Sequence, residues 1–79
     1  MSIKIYKTKT CAVCKQVLNY IKYKGHEAEE IYIDDDPKLQ QYVYEKSGGF
    51  MIVPLTVIEK EDGEHFISGG NIPRIAEMI

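Results

Sequence analysis

Apolar and polar residues alternate at the start of the chain, and the period then lengthens. Ile3 and Ile5 fall on one side of an extended run from Ser2 to Lys7, which predicts a first strand. From about Ala12 to Lys24 the spacing is helical: Cys14, Val17, Leu18 and Ile21 stand at i, i+3, i+4 and i+7 and make one apolar stripe. Lys22 and Lys24 suit the negative end of that helix, and Gly25 suits the residue just beyond it. Glu29 to Ile33 reads as a second strand. It lies far enough from the first for a parallel crossover through the helix.

The acidic run Asp34-Asp35-Asp36 before Pro37 reads as a solvated cap opening a second helix, because an Asp caps well and Pro fits the first helical position. Leu39, Tyr42 and Val43 mark its buried face, and Ser47-Gly48-Gly49 ends it. The β-branched run from Ile52 to Lys60 is interrupted by Pro54, so a third strand is expected from about Leu55. Asp62-Gly63 signals a hairpin, with His65 to Ser68 as the returning strand. Gly69-Gly70-Asn71 leads into a last helix with Ile72, Ile75, Ala76 and Ile79 at helical spacing. The order βαβαββα makes an α/β chain with a four-stranded mixed sheet flanked by three helices, which is the thioredoxin fold in outline.

Length and charge narrow the function. The 79 residues hold no repeat, low-complexity tract or linker, so residues 1–79 are expected to form a single domain near the lower size limit for a self-sufficient core. Ten basic against twelve acidic residues give no electrostatic case for nucleic acid or an anionic membrane. No apolar stretch approaches the roughly 18 residues that span a bilayer. Met1 leads directly into the first strand without a basic-then-apolar leader, so the expectation is a cytoplasmic monomer. Structural disulfides are rare there, and a cysteine pair points to catalysis, redox sensing or metal binding.

Cys11 and Cys14 are the only cysteines, and they stand between the first strand and the first helix. A thiol at a helix start faces free N–H groups and the positive end of the helix dipole, and both favour the thiolate. A second thiol three residues on lies one turn away and can attack a mixed disulfide formed by the first. C-x-x-C beside a βαβ pattern reads as a thioredoxin-like redox motif. Lys9 and Lys15 flank the thiols and favour the thiolate of Cys11. Zinc needs four ligands, and His26 and His65 lack the paired spacing that would complete a site. They read as surface residues, and the six tyrosines as packing.

Ile5-Tyr6 before the C-x-x-C, the spacing from Cys14 to Val53-Pro54, and Ser68-Gly69-Gly70 near the end occur together and in this order. With these features the chain resembles the glutaredoxins and the related NrdH-type redoxins over nearly its whole length. The resemblance implies that Cys11 attacks a substrate disulfide and Cys14 resolves the mixed disulfide. It makes Val53-Pro54 the residue-plus-cis-proline whose backbone pairs with substrate or glutathione, and Gly69-Gly70 the turn that admits a ligand. Tyr6, Lys9 and Asn71 are placed beside that site. The chain departs from the family pattern at Thr8, where a lysine is usual, and at Ala12-Val13, where Pro-Tyr is common. Asn71-Ile72 stand where glutathione users often carry an acid, and there is no Trp before Ser68-Gly69.

The implied function is a small dithiol–disulfide oxidoreductase that reduces protein disulfides, ribonucleotide reductase among them. No bound cofactor is required. Electrons come from glutathione or from NADPH through thioredoxin reductase, and the missing acid at Asn71-Ile72 favours the reductase. A non-enzymatic redox-sensing module, or a zinc or iron–sulfur module, on the same C-x-x-C is the alternative reading.

Overall fold

The structure, a computed structural model, describes residues 1–79. In chain order it contains β1 (Ser2–Lys7), α1 (Ala12–Tyr23), β2 (Glu29–Tyr32), α2 (Pro37–Lys46), β3 (Leu55–Lys60), β4 (Gly63–Ser68) and α3 (Ile72–Met78). The sheet order is β2-β1-β3-β4, with β1 and β2 parallel and the other pairs antiparallel. The mixed four-stranded sheet and three helices are those expected from the hydrophobic pattern.

Each sheet face carries its own core. Ile3 and Ile5 of β1, Ile58 of β3 and Ile67 of β4 pack with Val17, Leu18 and Ile21 of α1 and with Ile75 of α3. On the opposite face Tyr6, Leu55, Val57 and Ile33 pack with Val43 of α2. The period-two pattern of β1 thus sends Ile3 and Ile5 to the α1 side and Tyr6 to the α2 side. Burying a large aliphatic side chain such as Ile5, Ile21 or Ile58, each 0% exposed, contributes about 2 kcal/mol.

Helix ends follow local chemistry. Asp36, the last of the acidic run, is the N-cap of α2: its carboxylate accepts the N–H groups of Lys38 at 3.1 Å and Leu39 at 3.2 Å, with Pro37 following. The Gln40 amide donates to the carbonyls of Ile33 and Asp34 at 2.8 and 2.9 Å, which ties α2 to the end of β2.

Three details differ from the sequence pattern. β2 ends at Tyr32, yet Ile33 still donates its N–H to the Lys7 carbonyl and is buried. The hairpin turns on Glu61-Asp62, and Gly63 already pairs with Lys60, so β4 starts two residues before His65. The φ of +123° at Gly63, open to glycine, lets the strand begin there. In α3 it is Ile75 that is buried, supported by Met78 and Ile79, while Ala76 faces outward.

Candidate active site

The cysteines, Val53-Pro54 and Gly69-Gly70 gather at one end of the sheet, where β1 leaves it, β3 enters it and β4 leaves it. After β1 the chain turns through Thr8, Lys9 and Thr10. The Lys9 N–H donates to both oxygens of the Asp34 carboxylate, at 3.3 and 3.2 Å, which holds this turn against the end of β2.

Cys11 is the N-cap of α1. Its extended backbone, φ −144° and ψ 100°, aims the side chain back over the first turn, and its sulfur accepts the N–H of Cys14 at 3.2 Å. A sulfur in a place normally held by an Asp or Ser oxygen gains most from that N–H when it is charged. No acidic residue lies in the first turn to oppose the charge, and Lys15 is close by in sequence. The two cysteines are joined as a disulfide with their Cα atoms 5.3 Å apart. Cys11 is half-buried, whereas Cys14 is 0% exposed on the inward stripe of α1. An outside molecule therefore reaches the Cys11 sulfur before the Cys14 sulfur.

Val53-Pro54 lies where the first residues of β3 approach β1. The peptide bond between them is cis. Pro54 is buried, and its carbonyl accepts the Gly69 N–H at 2.8 Å, fastening the start of β3 to the end of β4. Val53 precedes the β1–β3 ladder, whose last pair is Tyr6 with Leu55, and no turn or loop hydrogen bond uses its N–H or C=O. Those two groups remain available to an added extended segment.

Gly69 and Gly70 close the site on the other side. Gly69 has φ +74°, and a Cβ there would touch Ile52 Cγ2 at 3.6 Å. A Cβ on Gly70 would stand 2.6 Å from Val13 Cγ1, so the backbone here passes directly over Val13, the second of the two residues between the cysteines.

The remaining residues singled out by sequence take different places. The ring of Tyr6 is in the core on the α2 side, 5.0 Å from that of Tyr42, so its phenyl body packs instead of lining the surface. Burial, with Tyr6 beside it, pushes the Tyr42 phenol up to about 12. Lys9 is exposed and lies 3.8 Å from Asp35. Asn71 caps α3 by accepting the Arg74 N–H at 3.3 Å, and the Arg74 guanidinium donates to Glu77 at 2.9 Å. Lys7 at the end of β1 is engaged elsewhere: its ammonium donates to Glu30 at 2.8 Å and lies over the Tyr32 ring. The hydrogen bond to Glu30 raises its pKa, and the same contact lowers that of Glu30.

Sequence reasoning passed over an apolar rim. Phe50 is 76% exposed and Met51 39%, in the loop that leads through Ile52 to Val53. Val13, 41% exposed, stands on the other side of Gly70. The signal was present, since Phe50-Met51-Ile52-Val53 is an apolar run between a glycine pair and a proline, where no strand needs it. No group of three or more His, Cys, Asp or Glu side chains is gathered to hold a metal ion, and no helix is long and apolar enough to cross a membrane.

Residues 3–66 match the glutaredoxin family model. The fold is similar to that of NrdH-redoxin from Escherichia coli, with a TM-score of 0.79 at 23% identity, covering 100% of this chain and 96% of that one. A glutaredoxin from Archaeoglobus fulgidus superposes with a TM-score of 0.74 at 28% identity, over 96% of this chain and 83% of the other. A glutaredoxin from Methanosarcina mazei Go1 gives 0.75 at 22% identity, over 98% and 76%. Among curated protein sequences none matches.

Proposed function

This chain belongs to the glutaredoxin family and is a thiol–disulfide oxidoreductase; from that premise we propose that Cys11 is its attacking thiol and Cys14 its resolving thiol. The observation that carries this assignment is the asymmetry of the pair, with Cys11 as the half-buried helix cap and Cys14 fully buried one turn on. The Cys11 thiolate attacks one sulfur of a substrate disulfide, and the other leaves as a thiolate. Cys14 then attacks the Cys11 sulfur and expels the second substrate thiolate. The substrate has gained two electrons, and the protein holds the Cys11–Cys14 disulfide.

A protein substrate is bound as an extended segment along the free N–H and C=O of Val53, in the manner of an added strand. Gly69 and Gly70 allow its backbone to approach, and the rim of Val13, Phe50 and Met51 offers apolar contact. Ribonucleotide reductase, in a reducing cytoplasm, is the proposed substrate.

The proposed electron donor is thioredoxin reductase. Glutathione carries two carboxylates and an ammonium, and each charge needs a partner. Lys7, Lys9 and Arg74 already face Glu30, Asp35 and Glu77. Asn71 replaces the acid for the ammonium, which removes about 1 kcal/mol of charge-assisted hydrogen bonding, on the order of fivefold in affinity. The structurally similar Escherichia coli NrdH-redoxin is described as having a thioredoxin-like activity profile, which agrees with this donor.

Two assays test the proposal. Cys11→Ser abolishes reduction of insulin disulfides, and Cys14→Ser accumulates a mixed disulfide through Cys11; a mixed disulfide on Cys14 reverses the assignment. Reduction of the Cys11–Cys14 disulfide by NADPH and thioredoxin reductase is faster than by millimolar glutathione with glutathione reductase; the opposite order removes the donor.

A further inference from the structure

Thr56 is the one buried side chain whose polar atom has no hydrogen-bond partner. It is 0% exposed, and its Oγ1 neither donates nor accepts. A hydroxyl stripped of water and left unpaired opposes folding, and a valine of nearly the same shape would avoid the penalty. A polar group held at such a cost calls for a partner that this state of the protein does not supply.

The location of Thr56 identifies that partner. Thr56 is the second residue of β3, directly opposite Ile5 of β1 and Ile67 of β4. Cross-strand partners point to the same face, so Thr56 points into the layer where Ile5 and Ile67 pack beneath α1 and α3. Cys14 lies on the same side of the sheet, at the start of the buried stripe of α1 that continues through Val17, Leu18 and Ile21. The two also share one end of the sheet: β1 runs out into Cys11, and Thr56 follows Pro54 by two residues. Of the charged side chains on this sheet face, Lys7 pairs with Glu30, His65 pairs with Asp62, and Lys60 lies at the other end of β3.

In the disulfide, Cys14 Sγ is bonded to Cys11 and carries no charge. Reduction separates the sulfurs from about 2.0 Å to at least roughly 3.5 Å. Cys11, half-buried at the helix cap, has solvent to turn into. Cys14 has only the core, and its sulfur arrives there with new electron density. We propose that the Thr56 hydroxyl is the hydrogen-bond donor reserved for the Cys14 sulfur in the dithiol state.

This rests on the oxidoreductase reading and adds a residue to it. When a donor thiolate attacks Cys11, the Cys11–Cys14 bond breaks and Cys14 leaves as a thiolate. Thr56 keeps its own proton and turns it toward that sulfur. The second donor thiolate then displaces Cys11, the donor ends as a disulfide, and both protein sulfurs are reduced. Because the hydrogen bond exists only after opening, Thr56 favours the reduced form. It also keeps more of Cys14 in the thiolate form for the resolving step.

The test is the thiol–disulfide equilibrium of the full chain against dithiothreitol at neutral pH, for wild type, Thr56→Val and Thr56→Ser. Thr56→Val shifts the equilibrium about tenfold toward the disulfide, a potential lower by about 30 mV for this two-electron couple. Thr56→Ser, which keeps the hydroxyl, stays within about threefold of wild type. In a Cys11→Ser background Thr56→Val also slows alkylation of Cys14 at the same pH. The oxidised Thr56→Val protein is at least as heat-stable as oxidised wild type, since it has lost an unpaired hydroxyl. A Thr56→Val equilibrium equal to wild type, or a loss of stability equal in both redox forms, overturns the proposal. Should Thr56→Val not fold, a Thr56→Ala equilibrium equal to that of Thr56→Ser does the same. Failure of wild type to equilibrate with dithiothreitol at all would instead count against the oxidoreductase reading.

Discussion

Gly70→Ala isolates the role of the backbone that passes over the cysteine pair. No left-handed φ is involved at this glycine, so the substitution acts through space alone. The new Cβ would stand 2.6 Å from Val13 Cγ1, far inside the roughly 3.5–4.0 Å of carbon contact. Val13 is β-branched and in the first turn of α1, where essentially one χ1 rotamer is comfortable. Either Val13 leaves that rotamer, at about 0.5–1.5 kcal/mol, or the segment Gly69-Gly70-Asn71 lifts away from the helix start. Both responses move atoms between or beside the two sulfurs. Val13 is 41% exposed, so little core packing is lost and the unfolding free energy falls by about 1 kcal/mol. Turnover with a protein disulfide falls more, about tenfold, because approach to Cys11 is obstructed as well. Val13→Ala in the same chain removes Cγ1 and restores most of both quantities, giving a coupling of about 1 kcal/mol in a double-mutant cycle. Gly25→Ala is the control: with φ +82° and no atom within 4 Å, it costs stability through the backbone and leaves turnover unchanged. Urea unfolding and insulin reduction, measured on all four variants, decide the matter. Normal turnover in Gly70→Ala, or a deficit that Val13→Ala does not relieve, would refute the steric reading.

Two further outcomes concern the titrating groups. Glu30→Gln leaves the Lys7 ammonium without its carboxylate and lowers stability by about 1 kcal/mol, a modest figure because the Glu30 side chain is 42% exposed. Lys7 holds the Glu30 carboxyl below its ordinary 4.5, so this contribution is complete above that value and lost as pH falls through the folded value; urea midpoints of the two proteins should converge in acid, and a constant gap would contradict the pairing. Tyr42, raised to about 12 chiefly by burial, gives a late step in an absorbance titration, and Tyr42→Phe removes that step. The neutral phenol therefore stabilises the fold fully below the ordinary value of 10.0, and this is lost as pH rises toward 12.

Periodicity revealed most of the scaffold where an element has one dominant apolar stripe, as α1 has. Cys14, Val17, Leu18 and Ile21 were legible as a stripe, and all four are buried. α3 was read less well: in seven residues the pattern repeats barely twice, and Ile72, Ala76 and Met78 compete for the inner positions. The hairpin was displaced because Asp-Gly predicts a turn at Asp62-Gly63, whereas the ladder runs on to pair Gly63 with Lys60. At the site, cysteine spacing and the Gly69-Gly70 pair were visible as chemistry. The contact of Val13 with Gly70 joins residues 57 positions apart, and no local pattern encodes it. The pairing of Lys7 with Glu30 was hidden for the same reason, since it depends on the β1–β2 register, which sets Glu30 beside Ile5. Thr56 sat in a β-branched run in which its hydroxyl looked like one more strand former.

The polarity of the sheet has a practical meaning. β1 runs toward the cysteines, so Met1 lies at the opposite end, beside the Glu61-Asp62 turn. A tether on the N-terminus, or a short insertion in that turn, would leave the sulfurs facing outward. Immobilised on a gold electrode or a bead in this orientation, every molecule presents the same face to its redox partner. An engineered thiol anchor belongs at that end, away from the half-buried Cys11.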